Sequence, residues 1–262
     1  MSDKKGSFEN ILTSLPLESV GLIQLNRPTV LNALDTQTLH EVVTALDEFQ
    51  SAGIRVVILT GNDKAFAAGA DIKAMVEAKA SDQIQDEREN LWRRFNSTSI
   101  PIIAAVNGFC LGGGNELAMA CDFIIAGDSA RFGQPEINIA TTPGAGGTQR
   151  LTRALGKSRA SYYCLTGEMF SAQEALAWGL VAKVVPARTL IQEAKIAAKK
   201  IAEKAPLSAR LIKEGINASF NSTLEEGLKL ERRNFYLTFA LEDQKEGMKA
   251  FLEKRKPHYK GQ

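Results

Sequence analysis

Residues 102–121 read IIAAVNGFCLGGGNELAMAC, and this stretch decides the fold class of the chain. It begins with a continuous apolar run, Ile102–Val106, which predicts a strand buried on both faces. Three consecutive glycines follow, and residues 116–121 then form a largely apolar segment that predicts a buried helix. A buried strand that leads through small residues into a helix indicates an α/β layer fold.

The same alternation of strands and helices continues on both sides of this stretch. Further strands are expected over residues 8–15, 20–25, 55–60 and 123–126. An amphipathic helix with Asp35 as its N-cap is expected over residues 34–49, and a charged helix over residues 86–96. Beyond about residue 190 the periodicity is helical only, over residues 191–203, 206–218, 224–241 and 243–254. We therefore predict an α/β core with the functional site over residues 1–195 and a helical region over residues 196–262.

Charge and histidine content narrow the possible functions. The 262 residues include 32 Lys and Arg against 30 Asp and Glu, which gives a net charge of +2. This balance argues against a protein that binds nucleic acid through its phosphates. His40 and His258 are the two histidines, and they are not spaced as metal ligands. A Ser-His-Asp triad or a His-rich metal site is therefore not expected, and acid–base chemistry would depend on carboxylates.

Cysteine usage and the N-terminal residues predict a cytoplasmic protein. The three cysteines, Cys110, Cys121 and Cys164, form no Cys-x-x-Cys pair, and their odd number suits a reducing compartment. Residues 1–6 are polar and charged with no apolar run behind them, so no secretory signal is recognised. The longest apolar runs are much shorter than a membrane span.

The glycine-rich segments do not match the common phosphate-binding motifs. A P-loop that ended at Lys157 would need glycine where Leu151 stands. The two candidate dinucleotide motifs place Leu117 or Gln149 where the third glycine is required.

Two of these segments are instead placed to bind an anion with the main chain. Residues 67–71 follow the strand predicted at 55–60 and open a short helix at 71–75, and residues 112–114 follow Ile102–Val106 and open the helix predicted at 116–121. The first N–H groups of a helix are free, and two such turns directed at one point would form an oxyanion hole. Alternatively, these small residues only permit tight turns and close packing.

Two glutamates are candidates for acid–base catalysis. Glu116 is the one acid in a largely apolar helix, where burial would raise its pKa; it could also simply complement the helix dipole. Glu136 follows Pro135 in an ordinary helix opening, yet it could converge with Glu116 as paired catalytic carboxylates do. Asp71, Asp122 and Asp128 have the character of turn or cap residues.

Five segments together closely resemble the enoyl-CoA hydratases of the crotonase superfamily. They are residues 67–73 (AAGADIK), 105–108 (AVNG), 111–118 (LGGGNELA), 132–136 (FGQPE) and 143–151 (PGAGGTQRL). The likeness extends from residues 26–34 to residues 251–256, and Asn115 stands where that family often has cysteine. The resemblance implies a crotonase-like spiral of ββα repeats, with C-terminal helices that form trimers and dimers of trimers.

The resemblance also implies a site. The N–H groups of Ala70 and Gly113 would hold the thioester oxygen, while Glu116 and Glu136 hold one water. Glu116 would act chiefly as the base toward that water, and Glu136 would deliver a proton to the α-carbon.

Coenzyme A is expected to lie along the loop that contains Ala70. Its candidate contacts are Ala68, near the adenine, and Asp71, Ile72 and Lys73. Phe235 and Lys254 are further candidates that a neighbouring subunit could supply, and residues 75–96 are expected to help line the acyl pocket.

The activity implied is addition of water across the double bond of a trans-2-enoyl-CoA to give a 3-hydroxyacyl-CoA. Coenzyme A would be part of the substrate, and no cofactor, metal, nucleic acid or membrane is expected. The acyl chain could come from fatty-acid β-oxidation or from another catabolic branch such as aromatic-acid degradation. Two alternatives stay open: a Δ3-Δ2-enoyl-CoA isomerase using Glu136, and a non-catalytic RNA-binding or assembly protein.

Overall fold

The computed structural model describes residues 8–262, which form two β-sheets surrounded by helices. The ten strands within these residues are β1 Ile11–Leu17, β2 Val20–Leu25, β3 Val56–Thr60, β4 Ala65–Ala67, β5 Ile102–Val106, β6 Phe109–Leu111, β7 Phe123–Gly127, β8 Arg131–Gly133, β9 Met169–Ser171 and β10 Lys183–Val185. The α-helices are α1 Thr36–Ser51, α2 Ala80–Gln85, α3 Arg88–Ser97, α4 Gly113–Ala120, α5 Gly147–Leu155, α6 Lys157–Thr166, α7 Ala172–Trp178, α8 Leu190–Ala202, α9 Pro206–Ala218, α10 Leu224–Thr238 and α11 Glu242–Leu252. Short 3-10 helices cover Pro28–Val30, Ile72–Ala74, Pro135–Ile139 and Ala187–Thr189. Residues 1–6, where no secretory signal is recognised, lie outside the described part.

From β3 to β8 the strands alternate between the two sheets along the chain. The larger sheet has the order β1-β2-β3-β5-β7-β10 and the smaller one the order β4-β6-β8-β9. Strands β3, β5 and β7 of the larger sheet are each followed by a strand of the smaller sheet, β4, β6 and β8, and then by a helical segment. The pairs β3–β5, β5–β7, β4–β6 and β6–β8 are parallel. This arrangement is the predicted spiral of ββα repeats, so the fold class is confirmed.

The larger sheet is covered on both faces, which explains its continuous apolar strands. In β3, Val57 and Leu59 join the core between the two sheets, whereas Val56 and Ile58 join a second cluster with α8. A side chain is therefore buried at every position of β3 and β5. Successive side chains of a strand point to opposite faces, so such a strand is almost entirely apolar. Thr60, the polar residue of β3, is buried with its hydroxyl donating to Ala105 O at 2.8 Å.

Several predicted boundaries change. Strand β1 covers residues 11–17 rather than 8–15, because pairing of Leu17 with Val20 leaves a turn of only two residues. Helix α1 covers residues 36–51, and the predicted N-cap is confirmed, since Asp35 Oδ1 accepts a bond of 2.7 Å from Thr38 N. The helix expected at 116–121 begins three residues earlier, at Gly113, because Gly112 serves as its N-cap. The charged helix is α3, at residues 88–97 rather than 86–96.

The four helices predicted for the C-terminal part are present as α8 to α11. Residue 195 lies inside α8, which packs on the larger sheet through Ala194 and Ala198. The division into a core and a helical region therefore stays a prediction. No helix of the described residues has the length and apolar character that crossing a membrane requires.

Candidate active site

A glycine turn between β6 and α4 brings the candidate residues together. Gly112 has φ 50°, and its N–H donates to Gly133 O at 3.0 Å, which ties the turn to β8. A Cβ at Gly114 would lie 2.1 Å from Ala67 O, so only glycine lets the first turn of α4 lie against β4. The N-terminus of α4 is thereby placed beside the loop of residues 67–71.

Two free backbone N–H groups meet at this junction. Ala70 N lies 3.5 Å from the position that a Cβ on Gly113 would take. Within residues 8–262, neither the N–H of Ala70 nor that of Gly113 donates a hydrogen bond. Neighbouring bonds hold the loop in place, from Leu34 N to Gly69 O at 2.8 Å and from Asp71 N to Leu34 O at 2.9 Å. Two unbonded N–H groups at one junction are what main-chain binding of an anionic oxygen requires.

Glu116 lies in the first turn of α4 with only 3% of its surface exposed. Its Oε1 accepts hydrogen bonds from Ala145 N at 2.8 Å and Gly147 N at 2.7 Å. Burial raises the pKa of this carboxyl, and the two N–H bonds and the charge of Arg150 oppose the rise. The carboxyl is thus buried but provided with donors that favour its ionised form.

Glu136 is half-buried in the 3-10 helix Pro135–Ile139, and its carboxyl faces the glycine turn. Oε1 lies 3.0 Å from the position of a Cβ on Gly112 and accepts a bond of 3.2 Å from Gln134 Nε2. Oε2 is buried and has no hydrogen-bond partner among residues 8–262. Burial raises the pKa of Glu136 to about 7; its own backbone N–H opposes this rise and the charge of Glu116 adds to it.

The geometry combines two unbonded backbone N–H groups with two carboxyls whose pKa values are raised. Such a set can hold developing negative charge on an oxygen and move protons near neutral pH. Pro135 does open a helical turn, as the helix-opening interpretation predicts, and the catalytic interpretation of Glu136 stays a prediction. No cluster of three or more histidine, cysteine, aspartate or glutamate residues suited to a metal ion occurs between residues 8 and 262.

The loop predicted to contact coenzyme A lies directly beside the two donors. Ala68 is half-buried, and its N–H donates to Leu31 O at 3.0 Å. Asp71 caps the 3-10 helix Ile72–Ala74 through Lys73 N at 3.2 Å, as its turn or cap character predicts. The side chains of Ile72 and Lys73 are exposed at the loop surface.

Two candidates lie in the C-terminal part. Phe235 is in α10, where it packs against the rings of Tyr236 and Phe239, and Lys254 follows α11. Neither residue forms a hydrogen bond with the site residues in the described part of the chain. Their contact with coenzyme A stays a prediction.

Sequence reasoning missed the residues that support the two glutamates. The N–H groups of Ala145 and Gly147 belong to a glycine-rich segment that the sequence marks but gives no role. Gln134 lies within the FGQPE motif, yet nothing in the motif says that its amide meets Glu136. Arg27 was also missed; it pairs with Asp71, the residue next to Ala70.

Comparison with known proteins gives a consistent result. The family model described as "Enoyl-CoA hydratase/isomerase" matches residues 17–262. The chain is 52% identical to a mitochondrial enoyl-CoA hydratase of Pongo abelii over 245 residues, which are 93% of this chain and 84% of that one. It is 44% identical to the 2,3-dehydroadipyl-CoA hydratase of Escherichia coli over 245 residues, 93% of this chain and 96% of that one.

Solved structures are similar over nearly the whole chain. A crystal structure of an enoyl-CoA hydratase subunit from Geobacillus kaustophilus matches with a TM-score of 0.94 at 46% identity, and covers 98% of this chain and 100% of that one. An enoyl-CoA hydratase from Bacillus anthracis matches with a TM-score of 0.91 at 41% identity, with coverages of 97% and 100%.

Proposed function

Because the chain belongs to the enoyl-CoA hydratase/isomerase family, we propose that Glu116, Glu136 and the N–H groups of Ala70 and Gly113 hydrate a trans-2-enoyl-CoA. The protein is an enoyl-CoA hydratase, as are relatives that share about half of its residues. The observation that carries the residue assignment is the meeting of two free N–H groups and two raised-pKa carboxyls at one glycine turn. The product is the corresponding 3-hydroxyacyl-CoA.

The N–H groups of Ala70 and Gly113 act on the thioester oxygen. When water attacks the β-carbon, electrons move from the double bond toward this oxygen, which gains negative charge as in an enolate. Donors that are already fixed in place stabilise that charge more than they stabilise the neutral substrate. Loss of one such donor typically lowers the rate by a factor on the order of 10²–10³.

The two carboxyls divide the proton transfers. Glu116, whose N–H partners favour the ionised form, takes a proton from the water as its oxygen bonds to the β-carbon. Glu136, whose pKa is raised to about 7, is protonated in a large fraction of molecules near neutral pH and gives its proton to the α-carbon. The pair gains one proton at Glu116 and loses one at Glu136, so its total charge is unchanged, and proton exchange with solvent restores the starting protonation of each carboxyl.

The coenzyme A portion of the substrate binds along the loop that carries Ala70. Ala68, Asp71, Ile72 and Lys73 lie on that loop, and the exposed Lys73 ammonium suits a phosphate. Phe235 and Lys254 complete the coenzyme A contacts from a neighbouring subunit. Coenzyme A enters with the substrate, and the reaction needs no separate cofactor, because the N–H groups and carboxyls supply all the acid–base chemistry.

The C-terminal helices support assembly into a trimer or a hexamer. They expose large apolar side chains, which include Tyr236 in α10 and Phe251 and Leu252 at the end of α11; Phe251 is 83% exposed. Apolar surface of this extent is typical of an interface. Sedimentation that gives the mass of a monomer at micromolar concentration would contradict the assembly. We assign the assembled enzyme to the cytoplasm, which fractionation of the source cells with an antibody would test.

The test of the residue assignment is a comparison of Glu116→Gln and Glu136→Gln with the wild type. Each variant should lose most of its activity in hydrating crotonyl-CoA, which is measured as the loss of the conjugated-enone absorbance. Each should still bind crotonyl-CoA. Glu174→Gln serves as the control, because Glu174 caps α7 at the surface. Near-normal turnover by both site variants would remove the two-carboxylate mechanism.

A panel of substrates then defines the acyl group. Straight-chain, dicarboxylic and aromatic-pathway 2-enoyl-CoAs distinguish β-oxidation from a branch such as that of the Escherichia coli 2,3-dehydroadipyl-CoA hydratase. A 3-enoyl-CoA in the same panel measures isomerase activity through Glu136. Binding of every thioester without turnover would indicate the non-catalytic alternative.

A further inference from the structure

Two buried side-chain amides connect the element that carries Glu116 with the element that carries Glu136. Asn115 precedes Glu116 in α4, Gln134 precedes Pro135, and neither has exposed surface. Asn115 Nδ2 donates to Gln134 Oε1 at 2.9 Å, and Gln134 Nε2 donates to Glu136 Oε1 at 3.2 Å. The three side chains thus form one directed chain of hydrogen bonds.

Asn115 fixes the orientation of the Gln134 amide. The Nδ2 group of Asn115 can only donate, and it also lies 3.5 Å from Gly133 O, so both of its hydrogens face acceptors. Gln134 must then turn its oxygen toward Asn115 and its nitrogen toward Glu136. The reverse orientation would oppose two NH₂ groups at one end and two oxygens at the other, where both amides are buried from water.

The fixed amide makes the two oxygens of Glu136 unequal. Oε1 accepts the N–H of Gln134, so a proton on Oε1 would compete with that donor. Oε2 is buried with no partner among residues 8–262 and can carry a hydrogen without losing a bond. The protonated carboxyl is therefore most stable with its proton on Oε2.

We propose that Asn115 is a positioning residue for hydration, which acts through Gln134 to keep the transferable proton of Glu136 on Oε2. This inference rests on the proposed function, because it assigns a task within the proton transfer from Glu136. Asn115 does not touch the reacting atoms in this scheme. Its effect is to determine which oxygen of the Glu136 carboxyl carries the proton.

The informative variant is Asn115→Leu, which removes the donors and nearly preserves the volume. Gln134 is then free to turn its carbonyl toward Glu136. There it would accept a hydrogen bond from a proton on Oε1 of Glu136. That bond favours the neutral carboxyl and directs the proton away from Oε2. We expect kcat for crotonyl-CoA to fall roughly tenfold or more, KM to change by less than about threefold, and the basic limb of the pH profile of kcat to move to higher pH.

Asn234→Leu is the matched control. Asn234 is also buried, donates through Nδ2 to Glu214 Oε2 at 2.8 Å, and has a buried Oδ1 without a partner in the described residues. The same substitution there removes a partly buried hydrogen bond from α10, so thermal stability should fall while the pH profile stays that of the wild type.

The outcomes separate this inference from the proposed function. If Asn115→Leu moves the pH profile no more than Asn234→Leu does, while Glu136→Gln is inactive, the positioning role is overturned and the two-carboxylate mechanism stands. If Glu136→Gln is active, the mechanism itself fails. Should Asn115→Leu not fold, Asn115→Cys replaces it, since a thiol is small and a weak donor; it should move the pH profile in the same direction by a smaller amount, and an unchanged profile overturns the inference.

Discussion

Burial raises the pKa of Glu136 to about 7, and the charge of Glu116 contributes to that rise. Glu116 is more deeply buried, and its pKa is raised as well, but it accepts two backbone N–H bonds at Oε1. Glu136 accepts one amide bond and keeps a buried oxygen without a partner in residues 8–262. Their surroundings therefore make one carboxyl the better base and the other the better acid, a division seen when paired carboxylates have different tasks.

Replacing the acid should stabilise the fold at alkaline pH. Between pH about 4.5 and about 7 the folded chain retains a proton on Glu136 that the unfolded chain releases, so folding weakens as the pH rises through this range. A shift of this size corresponds to about 3 kcal/mol, and partial solvent access reduces it to about 1–2 kcal/mol. Glu136→Gln should therefore be more stable than the wild type at pH 8 by about 1–2 kcal/mol, and nearly equal to it at pH 5. Urea unfolding at both pH values measures this; equal stability at pH 8 would contradict it.

The interaction between the two carboxyls should appear in a double-mutant cycle. At pH 8 Glu136 is ionised beside the charge of Glu116, so either Glu116→Gln or Glu136→Gln removes their repulsion, and the double variant cannot remove it twice. The stability gains should be less than additive at pH 8, by at least about 0.5 kcal/mol, and additive within about 0.5 kcal/mol at pH 5. Additive gains at pH 8 would mean that the charge of Glu116 does not act on Glu136.

Neighbouring glycines should respond to alanine in opposite ways. A methyl at Gly113 meets Ala70 N at 3.5 Å, an ordinary contact, and it would crowd an oxygen bound at that N–H. Gly113→Ala should keep its stability and lose on the order of 10²-fold in kcat. A methyl at Gly114 would meet Ala67 O at 2.1 Å, so Gly114→Ala should be destabilised by about 2 kcal/mol or more. Thermal unfolding and crotonyl-CoA kinetics on both variants test the contrast. Full activity of a folded Gly113→Ala would exclude the Ala70 N–H as an oxyanion donor.

The sequence predicts the parts of the fold with a strong local pattern. Strands β3, β5 and β7 are continuous apolar runs, and α8 to α11 have sustained helical periodicity, so each was placed within a few residues. The smaller sheet was missed, because β4, β6, β8 and β9 have three residues each and are stabilised by pairing with distant strands. A three-residue strand is too short for a period of two to be recognised.

The candidate site, like the fold, has parts that local motifs predict and parts that depend on long-range packing. Ala70, Gly113, Glu116 and Glu136 stand in motifs, so the resemblance names them, and the glycine turns alone suggest the two backbone donors. The bond from Asn115 to Gln134 depends on the approach of α4 to the segment after β8, which no local pattern encodes. The close contact of Gly114 with Ala67 depends in the same way on packing between a helix and a strand.

Arg27 should hold the loop of residues 67–71 in place. Its guanidinium bridges Asp71 at 3.0 Å and Asp35 at 3.1 Å and donates to Ala33 O at 2.6 Å. An ammonium cannot reproduce this planar set of donors, so Arg27→Lys should leave Asp71, next to Ala70, less firmly held. We expect a loss of about 1–2 kcal/mol in stability and roughly a tenfold fall in kcat, because misplaced N–H donors stabilise the transition state poorly.

The matched substitution is Arg93→Lys on the exposed face of α3. Arg93 pairs with Glu89 at 2.9 Å, and both side chains are well exposed, so this pair should contribute less than about 0.5 kcal/mol. Urea unfolding and crotonyl-CoA kinetics are measured for both variants. A fall in kcat confined to Arg27→Lys would identify the ion pairs of Arg27 as the support of the Ala70 donor, because the same change of side chain elsewhere leaves turnover intact. If Arg27→Lys and Arg93→Lys have the same kcat and stability, the hydrogen bonds between Leu34 and the loop are sufficient to hold it without Arg27.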